Sequence, residues 1–302
     1  MANRHAIRFD HSAIDATADY MQKPSETALR RLVCTLGCKL AYRHHLWSSP
    51  GLKVTIEEFW KSNLKLVNWN ENLRTTVSDL VRHLESEKQS HWLDEVLRYL
   101  PRDHVFNTTV YLILGYDNIV YVEDVALNLN HAGFHVDQRE AVYYLIHELA
   151  HAGYFRYHRM PNLMTIRTQG DLLDVVKLLT HLEGMGVLSS LRLRIKEGGL
   201  NDEDYNVLLD TEERARRVKN YFRELERLEG NPMKRIHEND FEVFERMSGK
   251  NTRLWYVAGC HMAQTIESEL GTDTLRALVK EGHQRFFEVY KEIAPAIEAN
   301  EG

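Results

Sequence analysis

The sequence has no long apolar run, few cysteines and no surplus of basic residues. No window approaches the roughly 18 apolar residues that a membrane helix needs, and the N-terminal residues lack the apolar stretch of a secretory signal. Three cysteines cannot all pair with one another, and nothing demands an oxidising compartment. We therefore expect a cytoplasmic protein without a membrane partner.

The charge balance argues against a nucleic-acid partner. The formal net charge is -6, whereas binding to phosphate backbones needs clustered basic residues. The one basic run, residues 214–219, is flanked by glutamates on both sides, and we interpret it as the solvated face of a charged helix. With 43% hydrophobic and 27% charged residues, the chain has the composition of a globular protein with a substantial core.

Two of the cysteines raise the question of a metal site near the N-terminus. Cys34 and Cys38 are spaced to share one face of a helix, and His44 and His45 follow shortly after. Cysteines four apart without a second pair match no common zinc framework. We interpret both as buried cysteines of an apolar helix.

Helical patterns dominate the first hundred residues. A run at helical spacing begins at Ser25 and continues to Leu40. Thr55 with Glu58 three residues later is a capping-box pattern at the start of a second helix. Two further helices are predicted over residues 70–85 and 92–100.

The next thirty residues change to β-strand character. Valine, threonine, tyrosine and isoleucine are frequent in 105–114, which predicts a strand that ends at Gly115. A short strand is predicted over 119–122. A further one is predicted over 126–130, where apolar and polar residues alternate. This is the one convincing β region that the sequence offers, and it leads into another helix.

The remainder of the chain again has helical patterns and contains no repeat, low-complexity tract or flexible linker. We therefore predict one continuous domain with a helical part (1–104), a central part (105–193) and a second helical part (194–302). The fold class is mainly α (α+β), with a small β-sheet before the helix at residue 147. The helices predicted in the remainder of the chain are 171–193, 202–228, 254–270 and 272–289.

The segment His147-Glu148-Leu149-Ala150-His151 has the spacing of a catalytic zinc site. Residues four apart on a helix are separated by about 40° around its axis, so His147 and His151 can present both imidazoles to one ion. Glu148 lies beside them and can take a proton from a metal-activated water.

The surroundings of this segment favour the metal interpretation. On a helical wheel the two histidines point away from an apolar stripe, together with Tyr144 and Glu140. A helix with this pattern packs by one side and offers both histidines on the other. The apolar stripe consists of Val142, Leu145, Ile146 and Leu149.

A catalytic zinc ion takes three protein ligands, and Glu183 is our candidate for the third. Its neighbours are mostly apolar, and a carboxylate in a buried helix is costly unless it is paired or binds a metal. Gly184 and Gly186 allow close approach by another element. His181 is the competing ligand, but two residues away on a helix it points elsewhere.

These residues resemble the gluzincins, zinc peptidases with two histidines and a distant glutamate as ligands. The resemblance runs from Val105 to Leu278, and more narrowly the layout is similar to a family of predicted zinc-dependent proteases of largely unassigned substrate. Its features are a strand pair, the HELAH helix, a leucine-rich helix with Glu183-Gly184, and a Tyr-x-x-Gly segment beginning at Tyr256. Met185-Gly186 replaces the usual Leu-Ala after Glu-Gly, and Tyr157 occupies the position where metzincins have their third histidine.

The resemblance implies a zincin-like fold, a Zn²⁺ cofactor and a peptide or protein substrate. Glu148 would then be the general base, acting on a zinc-activated water that attacks the scissile carbonyl. The resulting oxyanion needs a further hydrogen-bond donor. Tyr256 and, with less support, His261 are the candidates, although Tyr256 could instead pack in the core beside Trp255.

Two other functions fit the same sequence. The first is a catalytically inactive zincin-like scaffold that binds a partner protein, although a scaffold has no need for Glu148. The second is a metal-dependent hydrolase that acts on something other than peptides. The sequence leaves open the cleavage specificity, the choice between endopeptidase and aminopeptidase, and the oligomeric state.

Overall fold

The computed structural model consists mostly of α-helices with one small sheet, which confirms the predicted mainly α (α+β) class. The residues that it describes are 5–49, 51–86, 89–249 and 251–300. Their helices and strands, in chain order, are β1 (Ala6–Asp10), α1 (Ser12–Gln22), α2 (Glu26–Cys34), α3 (Leu36–Ser48), α4 (Ile56–Leu64), α5 (Glu71–Glu85), α6 (Gln89–Tyr99), β2 (Asn107–Ile113), β3 (Ile119–Tyr121), β4 (Asp124–Asn128), α7 (Ala132–Val136), α8 (Arg139–Phe155), α9 (Gln169–Glu197), α10 (Glu203–Leu209), α11 (Thr211–Glu229), α12 (Glu242–Ser248), α13 (Leu254–Leu270), α14 (Thr272–Glu281) and α15 (His283–Asn300).

The chain divides into two compact units. The first consists of Met1–Asp94 and Asp103–Arg156, and the second of Glu95–Arg102 and Tyr157–Gly302. The sheet, α8 and most of the early helices belong to the first unit, and helices α9 to α15 belong to the second. The single domain with parts 1–104, 105–193 and 194–302 stays a prediction.

The sheet of the first unit has the strand order β1-β2-β4-β3. β2 pairs in parallel with β1 and β4, whereas β3 pairs with β4 in the antiparallel direction and forms an edge. In the central strands β2 and β4, the paired residues Val110 and Val125 are both fully buried. The three strands predicted in the central region are confirmed as β2, β3 and β4.

The first strand corrects the prediction that the first hundred residues are helical. β1 pairs with β2 from Ala6 opposite Asn107 to Asp10 opposite Tyr111. Ile7 and Phe9 are only half-buried, so the local pattern of this short edge strand is weak. Its conformation depends on hydrogen bonding to a strand far along the chain, which a local pattern does not contain.

The helical run predicted from Ser25 to Leu40 forms two helices. Thr35 has an extended backbone between α2 and α3, and its hydroxyl accepts a hydrogen bond from the Cys38 amide at 3.4 Å. Cys38 is fully buried, and burial raises the pKa of its thiol to about 12. The prediction that both cysteines are buried is wrong for Cys34, which is exposed.

The helix starts predicted at Ser25 and Thr55 are confirmed. Ser25 caps α2 by accepting from the Ala28 amide, and Thr55 with Glu58 forms a capping box at the start of α4. In the capping box the Glu58 carboxylate also accepts from the Thr55 amide at 2.8 Å. Such caps satisfy amides that have no partner within the helix.

In the second unit, α9 is the longest helix among those described. Thr168 and Asp171 form a capping box at its start, and Gly198 ends it in the left-handed conformation with φ 67°. The helix predicted over 202–228 is interrupted at Asp210, which caps α11. The helix predicted over 272–289 is interrupted at Gly282, where φ is 94°.

Two arginines of the basic run in α11 are paired with carboxylates. Arg216 forms an ion pair with Glu213, and Arg217 contacts both Glu213 and Glu203. Arg217 is buried, which corrects the interpretation of the whole run as a solvated face.

None of the helices in the described part of the chain combines the length and the apolar character that crossing a membrane requires. The first four residues, which entered the expectation about a secretory signal, lie outside the described residues.

Candidate metal centre

Helix α8 of the first unit begins beside a carboxylate. Asp137 accepts a hydrogen bond from the Arg139 amide at 3.0 Å and forms an ion pair with the Arg139 guanidinium at 2.6 Å. A carboxylate at this position stabilises the positive end of the helix dipole. The helix packs against β3 and β4, so its orientation in the first unit is fixed by the sheet.

The prediction that α8 packs by one side only is wrong in part, because Val142 of the apolar stripe is half-buried, whereas Glu140 and His151, expected on the other side, are buried. Leu145, Ile146 and Leu149 have no exposed surface, as expected for the apolar stripe that packs inward. On another side of the helix, the rings of His147 and His151 lie with their centroids 4.4 Å apart and their planes 67° apart. The two imidazoles are therefore adjacent, as the four-residue spacing predicted.

Glu148 lies against this histidine pair. Its carboxylate oxygen Oε2 is 3.6 Å from Nδ1 of His151, and both side chains are more than nine-tenths buried. A carboxylate in this position can exchange a proton with a water molecule bound beside the imidazoles. His147 is half-buried, so the pair is not wholly enclosed.

Glu183 belongs to α9 of the second unit. Residues 180–191 are all buried except Glu183, which is half-buried. The surrounding residues are mostly apolar. Glu183 is the one residue of this part of the helix whose side chain is partly exposed to solvent. The sequence had predicted a carboxylate on a buried helix, and the burial pattern of α9 agrees.

Three side chains form a group that could hold a metal ion. His147, His151 and Glu183 each offer one ligand atom, and these atoms lie within 4.8 Å of one another. Two imidazoles and one carboxylate are a common ligand set of catalytic zinc and leave a fourth position for water. The donor set therefore fits a zinc ion.

His181 is not part of this group. Its ring is fully buried and stacks on Phe286 with centroids 4.1 Å apart and planes 13° apart. Burial holds the pKa of this imidazole well below its usual value. The expectation that His181 points away from the position of Glu183 agrees with this stacking.

His261 is also outside the group. Its ring centroid lies 6.3 Å from that of Tyr290. Burial, with a smaller contribution from the positive charge of Arg214, lowers the pKa of this imidazole. These neighbours belong to α11 and α15, and they give His261 a packing role within the second unit.

Tyr256 is half-buried near the start of α13, whereas its neighbour Trp255 is buried. The guanidinium of Arg253 lies over the Tyr256 ring, 3.5 Å from its centroid. Arg253 itself has the left-handed backbone conformation, with φ 47°. No local sequence pattern indicates this contact, because it depends on a backbone conformation that arginine seldom adopts.

A protein-family model matches most of the chain. Residues 61–298 match the model of a family described as "Putative zinc dependent peptidase (DUF5700)". No curated protein and no solved structure matches the chain. The matched range includes the HELAH segment, Glu183 and Tyr256.

Proposed function

Because the chain belongs to this family of putative zinc-dependent peptidases, we propose that it hydrolyses peptide bonds with a zinc ion held by His147, His151 and Glu183. The observation that carries this proposal is the proximity of the three ligand atoms, within 4.8 Å of one another. The ligand set and the adjacent Glu148 together match the requirements of a hydrolytic zinc site.

A zinc ion bound there would supply a Lewis acid that activates a water molecule and polarises the scissile carbonyl. Glu148 takes the proton of the attacking water and later delivers it to the nitrogen of the leaving amine. Its burial beside His151 keeps the carboxylate in a fixed position for both transfers. One side chain thus acts as base and then as acid.

Tyr256 is the proposed donor to the oxyanion that develops on the scissile carbonyl. Its phenol can donate a hydrogen bond to that oxygen, and the Arg253 guanidinium on its ring, 3.5 Å from the centroid, restrains the ring orientation. A donor that is already oriented stabilises the developing charge without reorganisation.

The substrate is proposed to bind in an extended conformation along β3. This strand is an edge of the sheet and packs against α8, which carries the two histidines. An edge strand can add a peptide through main-chain hydrogen bonds, which gives affinity with little sequence preference.

The test compares metal content and peptide hydrolysis in the wild type and four variants of the full chain. We expect about one zinc per wild-type chain by elemental mass spectrometry, with zinc lost in His147→Ala and Glu183→Ala. Glu148→Gln should keep the zinc and lose about a hundredfold to ten-thousandfold in kcat, because the general base is gone.

Glu226→Gln is the matched control, since Glu226 is an exposed glutamate of α11. It should keep both zinc and activity. Equal hydrolysis by wild type and Glu148→Gln would contradict the catalytic proposal and favour the inactive scaffold. Zinc retained in Glu183→Ala would contradict the assignment of the third ligand.

A further inference from the structure

Helices α9 and α13 of the second unit cross at a pair of glycines. They form the most extensive packing between described elements. A Cβ atom on Gly184 would lie 2.6 Å from the Cα of Gly259, and a Cβ on Gly259 would lie 2.9 Å from the Cα of Gly184. Real Cβ atoms essentially never come within 3.0 Å of another heavy atom. The two backbones are therefore in direct contact.

Each glycine lies against a different main-chain group of the partner helix. The nearest atom to a Cβ on Gly184 would be the carbonyl carbon of Gly259, and the nearest to a Cβ on Gly259 would be the carbonyl oxygen of Thr180. Main-chain atoms cannot rotate away as a side-chain end can. Any larger residue at either position must therefore move one helix against the other.

The same turn of α9 is held from a second direction. The Thr180 hydroxyl donates to the Val176 carbonyl at 2.8 Å and shares a hydrogen bond of 2.7 Å with the Tyr221 hydroxyl of α11. All three side chains are buried. α9 is thus fixed at this turn by backbone contact with α13 and by a buried hydrogen bond to α11.

The residues with proposed chemistry lie next to this contact. Glu183 immediately precedes Gly184, and Tyr256 lies three residues, about one turn, before Gly259. In 180–191 and in 254–260, these two residues are the ones that are not buried. The helix crossing is therefore next to Glu183 and Tyr256, the two side chains of this unit on which the proposed reaction depends.

We infer that Gly259 is a positioning residue. It sets the distance between the backbones of α9 and α13 and thereby holds the Glu183 carboxylate where it can bind zinc. This inference rests on the proposed function. It assigns a role in metal binding to a glycine that has no ligand atom. A displacement of about 1 Å is enough to impair a metal or catalytic site.

The experiment measures metal binding in the full-length Gly259→Ala variant. We expect the dissociation constant for zinc to rise about ten- to a hundredfold, as for lost outer-shell support. Co²⁺ substituted for zinc should give a visible absorption spectrum that resembles that of Glu183→Ala and differs from that of the wild type. Neither readout depends on a substrate.

A stability control separates positioning from general damage to the fold. Leu191 is buried in α9 about two turns beyond Glu183. Leu191→Ala removes packing without touching the crossing, so it should keep the wild-type affinity and Co²⁺ spectrum, even where it lowers the urea midpoint as much as Gly259→Ala does.

The outcomes are distinguishable. Wild-type zinc affinity and Co²⁺ spectrum in folded Gly259→Ala would overturn the inference and leave the proposed function intact. The same holds if Leu191→Ala, at equal stability, loses as much zinc affinity as Gly259→Ala. Absence of zinc from the wild type would overturn both, whereas zinc retained in Glu183→Ala would overturn the inference together with the assignment of the third ligand.

A second variant covers the case in which Gly259→Ala does not fold. Ala263 is fully buried one turn beyond Gly259 on the same face of α13. Ala263→Val adds two methyl groups there and separates the helices less severely. A weaker affinity with an altered Co²⁺ spectrum would support the inference, and unchanged values in a folded protein would overturn it.

Discussion

Arg253 and Tyr256 lie about one turn apart at the start of α13, and the arginine covers one face of the phenol ring at 3.5 Å from its centroid. A cation over an aromatic face is attracted by the ring and is worth about 0.5–2 kcal/mol. Arg253 also has a left-handed backbone with φ 47°, a conformation that costs energy outside glycine. This contact offsets part of that cost and orients the ring.

Tyr256→Phe tests the role of the phenol directly. The variant keeps the ring and its contact with Arg253 but removes the proposed donor to the oxyanion. We expect kcat to fall about a hundredfold, with KM changed less than about twofold. Steady-state kinetics on a peptide substrate measure both, and elemental analysis should find the wild-type zinc content.

The control for this prediction is Tyr290→Phe. Tyr290 stacks on Phe222 within the second unit, with ring centroids 5.8 Å apart, and it has no proposed role in the reaction. Its kcat should match the wild type. A Tyr256→Phe enzyme with wild-type kcat would show that the phenol does not assist the reaction.

At the scale of single elements, local sequence signals were reliable where a helix carries its own cap. The starts of α2, α4 and α5 were predicted within a residue or two, because Ser25, Thr55 and Asn70 provide side chains that accept from the first turn. Breaks within a predicted helix were harder to predict. Thr35 and Asp210 each start a new helix inside a run that continues at helical spacing.

The capping box of α4 gives a prediction about stability. Thr55→Ala removes the hydroxyl that accepts from the Glu58 amide at 3.2 Å. We expect the free energy of unfolding to fall by about 1 kcal/mol in urea titrations. Thr75→Ala is the matched control, because Thr75 is exposed within α5 and bonds only to its own helix at the Glu71 carbonyl. A loss in Thr55→Ala no larger than in Thr75→Ala would refute the prediction.

At the scale of the whole molecule, a buried histidine makes the fold sensitive to acid. His104 has 6% of its surface exposed, and burial lowers its pKa from 6.5 to about 4. The unfolded chain therefore binds a proton more readily than the folded chain between these two pH values. The part of the free energy of unfolding that depends on neutral His104 is fully present above pH 6.5 and is lost as the pH falls towards 4.

Urea unfolding at pH 7.5 and pH 5, with a chelator to remove metal effects, measures this contribution. The wild type should lose about 2 kcal/mol through His104 between these conditions. His104→Gln should be less stable at pH 7.5 but should show a smaller decrease towards pH 5. His91→Gln, at an exposed position, should leave the pH dependence unchanged. An identical decrease in wild type and His104→Gln would contradict the prediction.

The candidate site was partly predictable for a physical reason. A four-residue spacing fixes the relation of His147 and His151 within one helix, so their adjacency at 4.4 Å follows from helix geometry. Glu183 was found from the cost of a carboxylate among apolar neighbours, which is also a local property. Arg253 and Gly259 were not assigned roles, because their contacts depend on how α13 begins and what it crosses.

The sequence by itself determined the helical character, the strands of the central region, the caps and the adjacent histidines. These follow from periodicity and from side chains that bond to their own backbone. Only the tertiary structure decided that residues 6–10 form a strand, because that strand depends on pairing with β2. It also decided that α13 meets α9 at Gly184 and Gly259, since packing between distant segments depends on shapes that no local pattern records.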